Sequence, residues 1–105
     1  MYMVNKRDPV EFEWDKGNIH KSYKKHNISP NQAEEIFKDV NAFFKRDTNH
    51  SKYEIRYVAI GKTSSDKILY IVFTIRKDKI RIISARRCNI KERRLYEKTK
   101  ENSPL

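Results

Sequence analysis

The run Ile68–Ile75, which is apolar at nearly every position, constrains the fold of this chain more than any other segment. A strand that is covered on both faces shows such a continuous run, whereas a strand with one face in water alternates. Strand-like segments lie on both sides, Tyr53–Ile60 before it and Lys79–Ala85 after it. The pair Lys77 and Asp78 is short enough for a tight hairpin. We therefore predict that residues 67–76 form the central strand of a sheet.

Two shorter segments can add strands to this sheet. Residues 10–14 alternate apolar and acidic side chains, which is the pattern of a half-buried strand, and Phe43 and Phe44 form another short apolar pair. Residues 45–51, which include His50, are predicted as a polar loop, and residues 61–66 as a flexible connection. The prediction is an antiparallel sheet of three to five strands.

A first helix is predicted directly after residues 10–14. Asp15 is a favoured capping residue, and the lysine-rich stretch Lys16–His26 follows it. Asn27 ends this helix because asparagine tolerates the left-handed backbone conformation.

A second helix is predicted to begin at Ser29. Ser29 and Gln32 have the spacing of a capping box, and Pro30 suits the first helical position. Helical spacing recurs among four apolar residues, which indicates a face packed on the core. These residues are Ala33, Ile36, Phe37 and Val40.

A third helix is predicted to open at Asn89, because Asn89 and Glu92 again have capping-box spacing, and to run to about Lys100. Two N-terminal helices, an antiparallel sheet and one C-terminal helix predict an α+β fold. The chain has 105 residues, enough for one domain. We predict an N-terminal extension over residues 1–9, a single domain over 10–100 and a tail over 101–105.

The charge of the chain is strongly positive and uneven. Lys and Arg number 24 against 14 Asp and Glu, which gives a net charge of +10. From Arg76 onward there are eleven basic and four acidic residues. Such a surface attracts polyanions, among which nucleic acid is the commonest partner. An acidic protein partner and a basic surface that serves only solubility are the alternatives.

Several classes of function are not supported by the residues present. Cys88 is the single cysteine, so neither an intrachain disulfide nor a thiolate metal cluster is available. The three histidines are scattered and acidic residues do not cluster at ligand spacing, so we predict no metal and no cofactor. Two glycines cannot build a nucleotide-binding loop. With neither a long apolar run nor a signal-peptide pattern, we expect a cytoplasmic protein.

An ordered set of motifs resembles the BrnT toxin family over roughly residues 11 to 97. The resemblance is based on Phe12–Asp15, Lys25 with His26, Ser29–Phe37, His50 with Ser51, Ile60 with Gly61, Arg81–Arg87, and Glu92–Tyr96. It implies a RelE-like toxin fold and an endoribonuclease that inhibits translation. It also implies a hetero-oligomeric complex with a cognate BrnA antitoxin that binds operator DNA.

RNA can be cleaved without metal when its own 2′-hydroxyl attacks the neighbouring phosphate, which leaves a cyclic phosphate. The reaction needs a proton acceptor, a proton donor and cations that stabilise the transition state. Arg81 and Arg86 are the first candidates for stabilisation, because a guanidinium matches two phosphate oxygens. Five residues apart, they point to opposite faces of a strand unless a bulge intervenes. In the alternative interpretation they form structural ion pairs.

Three further residues are candidates for catalysis. Arg56 shares a strand face with Val58 and Ile60, where a charge needs a cleft or a partner such as Glu54. Lys25 and His26 end the first helix, where either is a possible proton acceptor or merely complements the helix dipole.

Six residues are candidates for RNA binding: Lys21, Lys24, Arg87, Arg93, Arg94 and Tyr96. For Tyr96 the pattern favours the alternative that it anchors its own helix, as aromatic residues commonly do. The main alternative to a ribonuclease is a basic module that binds RNA or DNA without cutting it, and another is a basic face that receives an acidic antitoxin segment. Phosphate binding and phosphate cleavage use the same residue types, so the sequence leaves these alternatives open.

Overall fold

The structure is a computed structural model that describes residues 11–47 and 54–101, apart from the side chains of residues 22–24. Its helical segments are α1 (Lys21–His26), α2 (Pro30–Glu35), a 3₁₀ helix (Ile36–Lys38) and α3 (Ile90–Glu101). Its strands are β1 (Phe43–Arg46), β2 (Tyr57–Lys62), β3 (Ile68–Arg76) and β4 (Lys79–Arg87). Within this part of the chain the strands form one antiparallel sheet in the order β1-β2-β3-β4. The α+β class is therefore confirmed.

The central position predicted for residues 67–76 is confirmed. β3 lies between β2 and β4, and Leu69, Ile71 and Phe73 are fully buried on one of its faces. On the other face Tyr70 and Val72 pack against a second apolar cluster that contains Tyr96 of α3. The predicted hairpin is also confirmed, since Lys77 and Asp78 have φ values of 50° and 65°, as the favoured two-residue turn requires.

One face of the sheet is closed by α2 and the 3₁₀ helix. The capping box of Ser29 and Gln32 is confirmed: the Gln32 amide donates to Ser29 Oγ at 3.2 Å, and the Ser29 amide donates to Gln32 Oε1 at 3.1 Å. Phe37 contacts the ring of Phe73 at 5.1 Å between centroids. Val40 was wrongly predicted to lie on this face: it is 58% exposed, because the 3₁₀ helix ends at Lys38 and the backbone then turns extended at Asp39.

The predicted N-terminal strand and first helix are both shorter in the structure. Residues 11–14 contribute only a bridge, in which Glu13 N donates to the Ile80 carbonyl at 2.8 Å. Residues 16–20 form turns rather than helix, and α1 starts at Lys21. The buried amide of Asn18 fixes these turns, because it donates to the Glu13 and Ile82 carbonyls at 3.0 Å each. Asn27 has the expected positive φ of 58°.

The loop predicted over residues 45–51 was wrong at its start, because Lys45 and Arg46 belong to β1. His50 lies outside the described residues. So do residues 1–9 and 102–105, and the predicted domain boundaries therefore stay predictions.

α3 packs on the opposite face from α2. Tyr96 is 2% exposed and its hydroxyl donates to Asp39 Oδ2 at 2.8 Å. Its ring packs in a cluster with Val58 and Ile60. The capping box that was predicted at the start of α3 is present. No helix among the described residues is long and apolar enough to cross a membrane.

A bulge in β4 decides where its arginines point. Val72 pairs with Ser84 but Phe73 pairs with Ile82, so Ile83 is an extra residue in β4. An extra residue reverses the alternation of side chains beyond it. Arg81 and Arg86 therefore lie on the same face of the sheet, the face on which α3 packs.

Candidate functional site

A cleft of about 500 Å³ lies on the α3 face of the sheet, beside the helix. We call it the basic cleft. Its lining residues are Lys21, Lys45, Arg46, Asp47, Arg56, Tyr70, Val72, Ile83, Ser84 and Arg86. Among these described residues are five cationic side chains and one carboxylate. The cations come from α1, β1, β4 and the segment before β2, so the tertiary fold assembles the cleft from distant parts of the sequence.

The register of the sheet builds the floor of the basic cleft. Lys45 pairs with Val58, Val58 with Val72, and Val72 with Ser84, so these residues form one row across the four strands. Side chains opposite one another on a face stand about 5 Å apart. The next row brings Tyr70 opposite Arg86. Cations at both edges of the sheet therefore flank a short apolar floor.

Arg86 is the most tightly held cation of the cleft. Its Nη1 and Nη2 each donate to Glu92 at 2.8 Å, and Nη1 also donates to the Arg87 carbonyl at 3.2 Å. Its Cζ lies 4.2 Å above the ring centroid of Tyr70, a cation–π geometry. The hydrogen bonds with Arg86 lower the pKa of Glu92, and those with Glu92 raise the pKa of Arg86. The pair is therefore ionised at neutral pH.

Tyr70 keeps its phenolic proton in this setting. Burial raises the pKa of Tyr70, and the nearby carboxylates of Glu92 and Asp47 raise it further. A neutral phenol donates a hydrogen bond but provides no negative charge to repel a phosphate.

Arg81 lies on the same strand and the same face as Arg86, but its environment is different. Its guanidinium donates to both Asp15 oxygens, at 2.8 and 2.9 Å, and to Glu13 Oε1 at 3.0 Å. The hydrogen bond with Arg81 lowers the pKa of Asp15. Arg81 is not among the described residues that line the basic cleft. The structure thus shows the ion pairs of the alternative interpretation at both arginines, with Glu92 at Arg86 and with Glu13 and Asp15 at Arg81. Of the two arginines, Arg86 is the one that also lines the basic cleft.

The other predicted catalytic residues also differ in whether they line the basic cleft. Arg56 lines the basic cleft on the face of Val58 and Ile60, as its position in the sequence suggested. Glu54, considered as its partner, receives two hydrogen bonds from Arg76, at 3.0 and 3.3 Å. Lys25 and His26 are exposed at the end of α1 and are not among the described lining residues.

The predicted RNA-binding residues are more dispersed. Lys21 lines the cleft, and Arg87, Arg93 and Arg94 are exposed near and on α3. The side chain of Lys24 lies outside the described part of the chain. Tyr96 has the anchoring role that was its alternative, because its buried ring leaves no face on which a base can stack.

Sequence reasoning missed Lys45, Arg46, Tyr70 and Ser84 as cleft residues. Lys45 was detectable, since it follows Phe43 by two residues and so shares its face in an extended strand. Tyr70 lies inside an apolar run that gave no sign of a site.

Cys88 and the acidic side chains offer little for chemistry. Burial raises the pKa of the Cys88 thiol to about 12, which makes it a poor nucleophile at neutral pH. Among the described residues no three His, Cys, Asp or Glu side chains are grouped as a metal site requires.

The chain matches the model of a known protein family. The model of a family described as the ribonuclease toxin BrnT of a type II toxin–antitoxin system matches residues 14–92. This span includes every lining residue of the basic cleft. Comparison with curated proteins gives no significant match.

Proposed function

The chain belongs to the BrnT family of ribonuclease toxins of type II toxin–antitoxin systems, and from this premise we propose that it is a metal-independent endoribonuclease whose active site is the basic cleft. The observation that supports the location is the convergence of five cations from four parts of the chain on one cleft. An RNA target and an antitoxin partner follow from the family itself.

The proposed reaction is attack of the 2′-hydroxyl on the adjacent phosphate, with release of the 5′-oxygen and formation of a 2′,3′-cyclic phosphate. Negative charge accumulates on the phosphate oxygens as the bond to the 2′-oxygen forms. Positioned guanidinium groups stabilise that charge most effectively in a site from which water is partly excluded. Arg86 and Arg56 meet this description, because both line the basic cleft and Arg86 is already fixed by its neighbours.

The remaining cations bind the RNA backbone in this proposal. Lys21, Lys45 and Arg46 neutralise phosphates on either side of the cleaved bond, and the exposed Arg87, Arg93 and Arg94 extend the path along α3. Lys25 lies one helical turn after Lys21 and so on the same face of α1. We propose Lys25 and His26 as the groups that exchange protons with RNA at the mouth of the cleft. Arg81 is assigned a structural role.

Toxin activity in the cell completes the proposal. The domain is RelE-like and cytoplasmic, inhibits translation by cutting RNA, and is neutralised by a BrnA-like antitoxin in a hetero-oligomer that binds operator DNA. A segment of the antitoxin with acidic side chains would cover the basic cleft, because opposite charges favour association there.

Incubation of the purified chain with RNA in EDTA tests the ribonuclease proposal. We expect fragments with cyclic-phosphate ends, and about tenfold or more slower cleavage in Arg56→Ala. Lys98→Ala is the matched control, since it removes an exposed cation of α3 outside the cleft. RNA retarded in a gel but left uncut would show a binding module instead.

A further inference from the structure

Glu92 has two structural roles at the junction of β4 and α3. As the third residue of α3 it closes the capping box: Asn89 N donates to Glu92 Oε1 at 3.0 Å, and Glu92 N donates to Asn89 Oδ1 at 2.8 Å. The same carboxylate accepts hydrogen bonds from both terminal nitrogens of Arg86. A capping box needs only the bonds between Glu92 and Asn89. The bonds between Glu92 and Arg86 join the start of the helix to a guanidinium in the basic cleft.

The guanidinium of Arg86 is restrained from three directions. Glu92 fixes it edge-on through two parallel hydrogen bonds, Tyr70 lies under its plane, and the Arg87 carbonyl accepts a third bond. A bidentate pair and a stacked ring together determine both the direction and the tilt of the plane. These bonds use three of the five N–H groups of a guanidinium, so the group can still donate to a phosphate oxygen.

We propose that Glu92 and Tyr70 are positioning residues that orient Arg86 in the basic cleft for the phosphate of the bond being cut. This role rests on the proposed ribonuclease function. The contrary role would be competition, in which Glu92 occupies Arg86 in place of the substrate. The capping box opposes competition, because a carboxylate that swings away from Arg86 also loses the hydrogen bond that it accepts from Asn89 N. Its side chain is only 14% exposed.

Glu92→Gln is the informative substitution. Glutamine keeps the capping box, as Gln32 does in α2 of the same chain, but weakens the bonds to Arg86 because the charge and one acceptor are lost. We expect kcat for RNA cleavage to fall about tenfold, because small displacements of a catalytic group are costly. KM is expected to stay within about twofold, because the other cations still bind RNA. Glu97→Gln, which changes an exposed carboxylate of the same helix, is the matched control.

A double-mutant cycle separates positioning from a structural role. Lysine at position 86 keeps the charge but cannot form the fork. If Glu92 acts through Arg86, adding Glu92→Gln to Arg86→Lys changes kcat by less than about twofold. Tyr70→Leu is expected to lower kcat more than Tyr70→Phe, because the ring rather than the hydroxyl supports the guanidinium. Melting temperatures of all variants identify any that lose the fold.

Three outcomes would overturn this role: an unchanged kcat in Glu92→Gln, tighter RNA binding by that variant, or an equal tenfold loss in the Arg86→Lys background. Each leaves the proposed ribonuclease intact, provided that the wild-type chain cuts RNA. A wild-type chain that binds RNA without cutting it would instead overturn the proposed function and the positioning role together.

Discussion

Arg81 and Arg86 are the same residue type, on the same strand and on the same face of the sheet, yet their surroundings differ. Arg81 donates to two carboxylates, Asp15 and Glu13, and its side chain is 13% exposed. Arg86 donates to one carboxylate, stacks on Tyr70, and is 37% exposed in the basic cleft. Two carboxylates neutralise a guanidinium and close its surroundings, whereas one carboxylate orients it and leaves part of it accessible. Accessibility and local charge therefore decide which arginine can meet a phosphate.

The sharpest test of this difference is to remove each side chain in turn. Arg86→Ala is expected to reduce RNA cleavage by about 10²–10³-fold, because a transition-state donor is lost. Arg81→Ala is expected to reduce it by less than about threefold. Single-turnover cleavage rates, measured well below each melting temperature, decide between them. Equal losses would mean that the two arginines share one role.

Lys45 sharpens the comparison, because it is a cation at the opposite edge of the same cleft. Lys45→Ala is expected to weaken RNA binding about tenfold at low salt. It should also reduce the slope of log K against log salt by about 0.7, the contribution of one phosphate contact on single-stranded RNA. Filter binding over a range of salt concentrations measures both quantities. The same slope in wild-type and Lys45→Ala protein would show that Lys45 touches no phosphate.

Loss of stability is the expected result of removing the Arg81 side chain. Arg81→Ala removes the ion pairs of Glu13 and Asp15 with β4 and leaves these two carboxylates without the guanidinium that they share. We expect the melting temperature to fall by about 4–8 °C. Calorimetry provides the measurement, with Arg94→Ala, an exposed arginine of α3, as the control. A decrease of about one degree or less is typical of substitutions at exposed positions. Such a result would contradict the structural assignment of Arg81.

Gly17→Ala disturbs the Arg81 ion pairs without removing a charge. A Cβ at this position would lie 2.9 Å from Arg81 Nη2 and 3.1 Å from Asp15 Oδ1, so both side chains must shift. We expect a smaller decrease in melting temperature, roughly 2–4 °C, because flexible side-chain ends can move. The cleavage rate should follow the wild type. A large loss of cleavage would show that this turn also shapes the cleft.

Acid affects both arginine environments in the same direction. The pKa values of Asp15 and Glu92 are lowered from their ordinary values of 3.8 and 4.5, mainly by hydrogen bonds with Arg81 and Arg86 respectively. Their ion pairs therefore contribute stability above those ordinary values, and this contribution is lost as the pH falls through the lowered pKa values. We expect the melting temperature to decline below about pH 4.5, and to decline less steeply in Glu92→Gln. An identical acid profile for that variant would show that the Glu92 pair adds nothing to stability.

The sheet was predictable from local pattern, and the position of the site was predictable only in part. The apolar run of β3, the Lys77 and Asp78 hairpin, and both capping boxes were identified from sequence because each depends on neighbouring residues. Arg56 and Arg86 were identified by residue type. Lys45 was missed because the second half of β1 was taken for a loop, and Val40 was misplaced because helical spacing continued past the point where the helix ends.

Residue order alone determined the α+β class, the positive charge and the family, because periodicity, composition and motif order are properties of the chain itself. The tertiary structure decided which cations act together. A single extra residue at Ile83 turned Arg81 and Arg86 to the same face, and the positions of Glu13, Asp15 and Glu92 then gave the two arginines different environments. Such outcomes depend on a one-residue shift of strand register and on contacts between residues up to 68 positions apart. No local pattern encodes them.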